Sequence, residues 1–271
     1  MEKIQANYKQ QVIDFFNSRT AYDLEGDNHP KEARCLLDYV GVSSGQKILD
    51  LATGTGLVAI DAAKAVAPKG SVIGVDLSQG MLAQAKDKIV AQAIENLELI
   101  EADVGLIDFK SEQFDVILCC SALVYMSDIA ATVDKCYRWL KPGGCFAFTT
   151  VEKSSYLAEV KVRLCQDLFG IDLPHILRPL WTAEKCQTIL KKSGFQNIEI
   201  EQHRGRRYRI DKIYSSTQIE KDFYPRGNPL LDLSTGQREL LQTEYKKAVE
   251  QIIAEQGVWQ DALNFYIKAW K

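Results

Sequence analysis

The sequence predicts an α/β fold in which a mostly parallel, doubly wound sheet of about seven strands carries helices on both faces. Two observations support this fold class. Residues 46–150 alternate short apolar runs with helical patterns, and the first apolar run leads into a glycine-rich turn. Strands and helices that alternate at this spacing form right-handed βαβ units, whose ligands bind at the carboxyl ends of the strands.

Five strands and three helices are predicted in this central region. The helical patterns lie at 58–66, 79–93 and 129–140. Ser78 has a side chain suited to cap the second of these helices. The strands are predicted, in chain order, at 48–51, 71–75, 97–100, 114–118 and 145–149.

The segments on either side of this region extend the same core. Residues 1–45 have a mainly helical pattern, whereas residues 151–181 contain two prolines and are predicted to be irregular. A helix at 182–193 and a sixth strand at 197–202 follow. The core is therefore predicted to span residues 46–202.

The C-terminal part is predicted to be a helical insertion followed by the last strand. Residues 203–260 contain a long helical pattern at 235–256 and are too many for a hairpin loop. Their first residues form a basic run at 204–209, which suits either an anionic substrate or a solvated face. The last strand is predicted within 261–271, where apolar and polar residues alternate.

Composition argues against several classes of protein. The chain has 271 residues, of which 46% are hydrophobic and 25% charged, as is ordinary for globular proteins. Its net charge of -3 lacks the basic surplus of a nucleic-acid binder. No stretch approaches the roughly 18–20 apolar residues of a membrane span, and the polar N-terminus does not resemble a secretory signal.

The seven cysteines predict reduced thiols. No pair has the C-x-x-C spacing that is typical of zinc sites, so no metal is expected. Their odd number and the adjacent Cys119 and Cys120 are typical of a cytoplasmic protein.

The turn Asp50-Leu-Ala-Thr-Gly-Thr-Gly56 carries the strongest functional signal. Gly54 and Gly56 let the backbone approach a ligand and tolerate positive φ angles. The turn leads into a helix N-terminus, whose free N–H groups attract anionic groups. Asp76 closes the second strand, where this architecture places a carboxylate on ribose hydroxyls. A third acid, Asp103, follows the third strand.

The glycine turn alone fits two cofactor classes. Gly54-Thr-Gly-Leu-Val-Ala59 matches the G-x-G-x-x-A pattern of NAD-binding proteins. Asp50, however, would repel a pyrophosphate but suits a cationic amino-acid group, and Asp103 can bind an adenine amino group. An oxidoreductase is therefore the alternative rather than the main hypothesis.

Five motifs in order resemble the class I S-adenosylmethionine-dependent methyltransferases, in particular the ubiquinone/menaquinone-biosynthesis group. This resemblance covers residues 46–150 well and 182–202 more loosely. It implies a Rossmann-like fold, with residues 1–45 as a lid, 151–181 on the substrate side and 203–260 as a cap. The motifs are DLATGTG at 50–56, GVDLS with Met81-Leu82, EAD at 101–103, FDVI with Ser121, and LKPGG at 140–144.

The resemblance also implies cofactor-binding roles. The methionine part would lie on the glycine turn, the ribose on Asp76, and the adenine beside residues after the second and third strands. Tyr22 would close over the cofactor, with Tyr8 a weaker alternative. The residues implied are Tyr22, Asp50, Ala52, Thr53, Gly54, Thr55, Gly56, Asp76, Leu77, Met81, Ala102, Asp103, Val104, Cys120 and Ser121.

Methyl transfer needs a base only when the acceptor must lose a proton. Because the family fold would place them near the cofactor and the substrate, His29 and His175 are the predicted candidates for this base, and His203 looks more remote. The alternative for each is a non-catalytic histidine on the surface or at a helix cap.

The expected acceptor is a small molecule. The sequence Cys119-Cys-Ser-Ala122 stands where enzymes that methylate base or amide nitrogens carry an Asn-Pro-Pro-Tyr-type motif. We therefore expect O-, N- or C-methylation of a quinol, an aromatic compound or a specialised metabolite, by a monomer or homodimer. A cofactor-binding scaffold without activity is the non-enzymatic alternative, which the intact turn and Asp76 disfavour.

Overall fold

A computed structural model describes residues 2–26, 28–212, 223–225 and 227–271. Its centre is a seven-stranded sheet, which confirms the predicted fold class. The strands are β1 (Lys47–Leu51), β2 (Ser71–Asp76), β3 (Leu97–Glu101), β4 (Phe114–Cys119), β5 (Leu140–Val151), β6 (Gln196–Arg209) and β7 (Trp259–Trp270).

The sheet order places the glycine-rich turn that follows β1 beside the point where the strand order reverses. The strands lie side by side as β3-β2-β1-β4-β5-β7-β6. Strands β1 to β5 are parallel, and β7 runs antiparallel between β5 and β6. The order reverses between β1 and β4, and ligands of open α/β sheets bind at such a switch point.

Helices cover both faces of the sheet. On β1, the adjacent residues Ile48 and Leu49 are fully buried in different cores, as strand geometry requires. The helices are α1 (Glu2–Asn17), α2 (Asn28–Val40), α3 (Leu57–Val66), α4 (Gln79–Ala91), α5 (Ile129–Trp139), α6 (Ala158–Phe169), α7 (Ala183–Lys192) and α8 (Thr235–Gln256). In the described part of the chain, none of these helices combines the length and apolar content of a membrane span.

Two boundaries of the predicted insertion differ from the sequence predictions. Strand β6 continues beyond residue 202 to Arg209, and β7 already begins at Trp259, so both ends of the predicted insertion belong to the sheet. The pairing of Arg209 with Trp259 extends the sheet, and two arginine side chains lie over the Trp259 ring. This part of β6 could not be predicted from apolar alternation, because its arginines face solvent.

The segment 151–181 is also more regular than predicted, because it contains helix α6. Cys165 on α6 is fully buried beside Leu230 and Leu241 of the C-terminal segment. Helix α8 begins with a capping box between Ser234 and Gln237. Helices α6 and α8 thus pack together next to the extended part of β6 and β7.

Candidate functional site

A cavity of about 400 Å³ opens where strands β1 to β4 end, and α1 and the start of α2 complete its walls. This volume lies in the ordinary range for small-molecule sites. The cavity brings together all the predicted cofactor residues except Gly56. They are Tyr22, Asp50, Ala52, Thr53, Gly54, Thr55, Asp76, Leu77, Met81, Ala102, Asp103, Val104, Cys120 and Ser121.

The glycine turn presents backbone to this cavity. Gly54 has a φ of 55°, and no heavy atom lies within 4 Å of the place where its Cβ would be. Ala52, with a φ of 53°, adopts the same left-handed conformation without being glycine. A backbone that is strained in this way is a frequent mark of ligand sites.

Gly56 has a structural role instead. Its φ is 79°, and a Cβ there would lie 3.1 Å from the Ile60 side chain and 3.4 Å from Ala85. Gly56 caps α3 and allows the turn to pack against α4. The place where its side chain would be therefore faces neighbouring helices, and a contact of Gly56 with the cofactor stays a prediction.

Asp50 lies at the base of the turn and is only 1% exposed. Its carboxylate accepts a hydrogen bond from the Thr53 hydroxyl at 2.6 Å. Burial raises the pKa of Asp50 to about 7, and the nearby charge of Asp76 adds to this effect. A buried carboxylate of this kind gains most from a ligand that brings a positive charge.

Asp76 is oriented by two backbone donors. Its carboxylate oxygens accept hydrogen bonds from the N–H of Gly54 at 2.8 Å and of Ser78 at 2.7 Å. Burial raises its pKa, whereas these backbone hydrogen bonds oppose the rise. Each oxygen keeps a second lone pair, so the carboxylate can accept hydrogen bonds from ligand hydroxyls as well.

Helix α1 closes the cavity through Tyr8, the weaker alternative to Tyr22 in the sequence analysis, and through residues to which that analysis assigned no role. Lys9 forms an ion pair with Asp103 at 2.5 Å, and Tyr8 donates a hydrogen bond to the Tyr125 carbonyl at 3.1 Å. Val12 and Phe16 also line the cavity. Apolar or aromatic residues lie at every fourth position, 8, 12 and 16, and this spacing indicates one face of a helix.

At the end of β4, Ser121 links the cavity to a buried acid. The Ser121 backbone has a φ of 51°, and its N–H donates to the Thr149 hydroxyl at 2.8 Å. Its own hydroxyl donates to Glu32 of α2 at 2.6 Å. Cys120 lies beside it, where burial raises the thiol pKa well above its ordinary value. No local pattern marks Glu32, because it lies 89 residues from its partner.

Of the two histidines predicted as bases, only His29 lines the cavity. Its ring stacks on Tyr22 with centroids 4.6 Å apart, and the Arg19 guanidinium lies 4.2 Å from the centre of the tyrosine ring. Burial lowers the pKa of His29, and the charges of Arg19 and Arg206 lower it further. The imidazole is therefore neutral near pH 7.

His175 is not among the residues that line this cavity, and its role as a base stays a prediction. Its Nδ1 accepts a hydrogen bond from the N–H of Leu177 at 3.3 Å. On either side of it, Leu173 and Ile176 are buried in two different cores. These anchors hold the segment against α6 and the sheet, and keep the imidazole away from the glycine turn.

Comparison with known sequences identifies relatives of this arrangement. A family model described as a methyltransferase domain matches residues 48–144. The demethylmenaquinone methyltransferase of Staphylococcus saprophyticus is 34% identical over 220 residues, which cover 73% of this chain and 93% of that protein. The aklanonic acid methyltransferase DauC of a Streptomyces species is 27% identical over 147 residues, or 54% and 67% of the two chains.

Solved structures share the fold. Phosphoethanolamine N-methyltransferase 2 of Haemonchus contortus, in complex with S-adenosyl-L-methionine, matches with a TM-score of 0.57 and 25% identity over 89% of this chain. This chain spans 52% of the length of that nematode protein. The YcgJ protein of a Bacillus species matches with a TM-score of 0.62 and 17% identity, over 90% of this chain and 99% of its own.

Proposed function

Because this chain belongs to the S-adenosylmethionine-dependent methyltransferases, in the group that includes the menaquinone- and ubiquinone-biosynthesis enzymes, we propose that its cavity binds S-adenosylmethionine and methylates a small-molecule acceptor. One observation carries the proposal. Asp50, Asp76 and Asp103 follow or end three adjacent strands, and all three line one cavity around the Gly54 turn.

The residues of the cavity fit this cofactor. Asp50 is a buried carboxylate that suits the ammonium group of the amino-acid part. Asp76 has free lone pairs for the ribose hydroxyls, and Leu77, Met81 and Val104 offer an apolar slot for the adenine. When bound, S-adenosylmethionine supplies a methyl group that is already activated by a sulfonium, so the protein mainly has to position the acceptor.

The acceptor side favours an aromatic molecule. Phe16, Tyr22 and Tyr125 line the cavity, and Phe16 contacts both tyrosine rings. Aromatic side chains pack well against planar aromatic ligands. A phenol or a quinol, methylated on oxygen or carbon, is therefore the acceptor class that we propose, in line with the names of the relatives.

The flanking helices complete the site in this proposal. Helix α1 acts as a lid, and the Lys9–Asp103 ion pair opens so that Asp103 can bind the adenine amino group. Between β6 and β7, the described residues 223–225 and 227–258 belong to a cap over the acceptor side in this proposal. All seven cysteines are free thiols, which supports a cytoplasmic location.

Transfer of a labelled methyl group tests this function. The purified protein is incubated with methyl-labelled S-adenosylmethionine and a panel of hydroquinones, naphthols, catechols and primary amines. We expect labelled product with at least one phenolic compound and none with the amines. Label transfer only to the amines would contradict the acceptor class, and the absence of transfer to every compound would contradict the acceptor proposal as a whole.

A further inference from the structure

Glu32 is a buried acid without a matching cation. Its side chain is 8% exposed and belongs to α2, which packs over the end of the sheet. Among the described residues, no lysine, arginine or histidine forms an ion pair with it. Its hydrogen-bond donor is the Ser121 hydroxyl, at 2.6 Å. Since a buried carboxylate without a cation is costly, its presence calls for a functional reason.

The geometry around Ser121 is built for this contact. The backbone of Ser121 has a left-handed conformation that residues other than glycine rarely adopt. The Thr149 hydroxyl stabilises this conformation by accepting a hydrogen bond from the Ser121 N–H. Ser121 thus lines the first cavity, and its hydroxyl donates to Glu32. Strain of this kind is typical of active sites.

A second cavity lies on the opposite side of Glu32. It has a volume of about 420 Å³ and is bounded by α2, β6 and β7, with Lys31, His203 and Tyr266 among its lining residues. Glu32 lines this cavity, whereas Ser121 lines the first one. The two side chains therefore connect the proposed reaction site with a polar space that can hold water.

We propose that Ser121 and Glu32 form a proton relay that removes the proton of a phenolic or enolic acceptor and delivers it to the second cavity. This inference rests on the proposed methyltransferase function and adds a base to it. The acceptor O–H bond breaks as its proton passes to Ser121 Oγ, and the serine proton moves to the Glu32 carboxylate. The electron pair of the acceptor forms the new bond to the methyl group, and the S–CH₃ pair returns to sulfur.

The charges balance in this scheme. The positive sulfonium and the negative Glu32 are both neutral after the transfer, and the proton then leaves through the second cavity. Glu32 acts through Ser121, so it is a positioning residue for the proton and not a group that touches the acceptor.

The surroundings of Glu32 favour this role over one for His29. Burial raises the pKa of Glu32, against the effect of its hydrogen bond from Ser121, and a raised pKa makes its carboxylate a stronger base. Burial and two arginine charges lower the pKa of His29, so its imidazole is a weaker base.

The titratable groups around Glu32 lie on several elements. The titratable side chains whose pKa Glu32 raises are Tyr22, Cys120, Tyr156 and Tyr266. Across the second cavity the charged or titratable groups are Lys31, Cys35, His203 and Arg204.

The test uses 4-nitrophenol, whose phenolate absorbs in the visible range, bound to the protein with S-adenosylhomocysteine. At a pH about one unit below the pKa of the free probe, we expect the bound probe to be partly ionised in the wild type. In Glu32→Gln and in Ser121→Ala its apparent pKa should rise by about one unit or more. Asp38→Asn, an exposed acid on the same helix, is the matched control and should behave as the wild type.

Two results would overturn the relay. A carboxylate that keeps its charge and only shapes the site repels a phenolate, so Glu32→Gln would then increase the ionised fraction. Failure of the probe to bind the wild type would also contradict it. Calorimetry with S-adenosylhomocysteine on the wild type and each variant separates these results from failure of the proposed function. If the proposed function is wrong, the wild type itself will not bind S-adenosylhomocysteine.

A second readout is the rate of methyl transfer to the phenol found in the labelled screen. We expect kcat to fall about 100-fold in Glu32→Gln at a pH where the acceptor is protonated, and by a much smaller factor where the acceptor is already ionised. An equal loss at both pH values would show a structural role only.

Discussion

At the scale of single residues, the acids of the cavity are explained by what they are expected to bind. Asp50, Asp76 and Asp103 could be found from the sequence because each follows or ends a predicted strand in a local motif. Glu32 and Lys9 could not, since they lie 89 and 94 residues from the side chains that they contact. Such pairs are set by how α1 and α2 dock on the sheet, and no local pattern encodes that docking.

Asp50 gives a prediction about ligand affinity. Replacing it by asparagine removes the charge that would pair with the ligand ammonium, at a cost of about 2 kcal/mol. We therefore expect Asp50→Asn to weaken S-adenosylhomocysteine binding about 30-fold by calorimetry. Asp61→Asn, which removes an exposed acid on α3, should leave the affinity unchanged. Equal affinities of Asp50→Asn and the wild type would contradict the assigned role.

The same residue predicts how stability depends on pH. The pKa of Asp50 is about 7 in the folded protein, above its ordinary value of 3.8. The unliganded folded state therefore keeps a proton that the unfolded chain has lost, and the contribution of Asp50 to stability falls as pH rises through this window. We expect thermal melting of the unliganded protein to show a smaller loss of stability from about pH 5 to 8 in Asp50→Asn. A steeper loss in the variant would contradict the raised pKa.

His29 provides a test of the histidine predicted as a base. Its imidazole is neutral near pH 7 and stacks on Tyr22. If Glu32 takes the acceptor proton, His29→Gln should lower kcat by less than about tenfold. The pH dependence of kcat should keep its wild-type shape. Loss of the acidic limb in this variant would instead assign the base to His29.

At the scale of elements, the central strands and helices followed from apolar periodicity and turn residues. Strand β6 was predicted too short, because the basic run at 204–209 was assigned to the helical insertion although it pairs with β7. Helix α6 was missed because the prolines after it dominated the pattern. Its packing partners Leu230 and Leu241 come from a distant segment, and tertiary contacts of this kind are invisible to local patterns.

Gly56 tests the packing of the turn against α4. A Cβ at this position would press on Ile60 and Ala85, whereas one at Gly143 would meet no heavy atom within 4 Å. Both residues have similar positive φ angles, 79° and 76°, so Gly143→Ala serves as the control for backbone strain. We expect Gly56→Ala to cost about 1 kcal/mol more than Gly143→Ala in chemical denaturation. Equal losses would show that packing at the turn is unimportant.

At the scale of the whole molecule, the site is a meeting point of distant parts of the chain. The sheet supplies the glycine turn and the acids, and α1 and α2 supply aromatic side chains and His29. Strands β6 and β7 bound the second cavity, which Glu32 also lines. The sheet half could be predicted because βαβ units place strand ends together. The other half depends on helices that pack from the N-terminus, which explains why the acceptor side was the harder part to predict.

The most direct test of the central claim is a calorimetric titration of the wild-type protein with S-adenosylmethionine, S-adenosylhomocysteine and NAD. We expect both sulfur nucleotides to bind with one site per chain, and Asp76→Asn to weaken both. NAD should give no binding heat, since its pyrophosphate would face the buried Asp50. Binding of NAD together with no binding of either sulfur nucleotide would contradict the account.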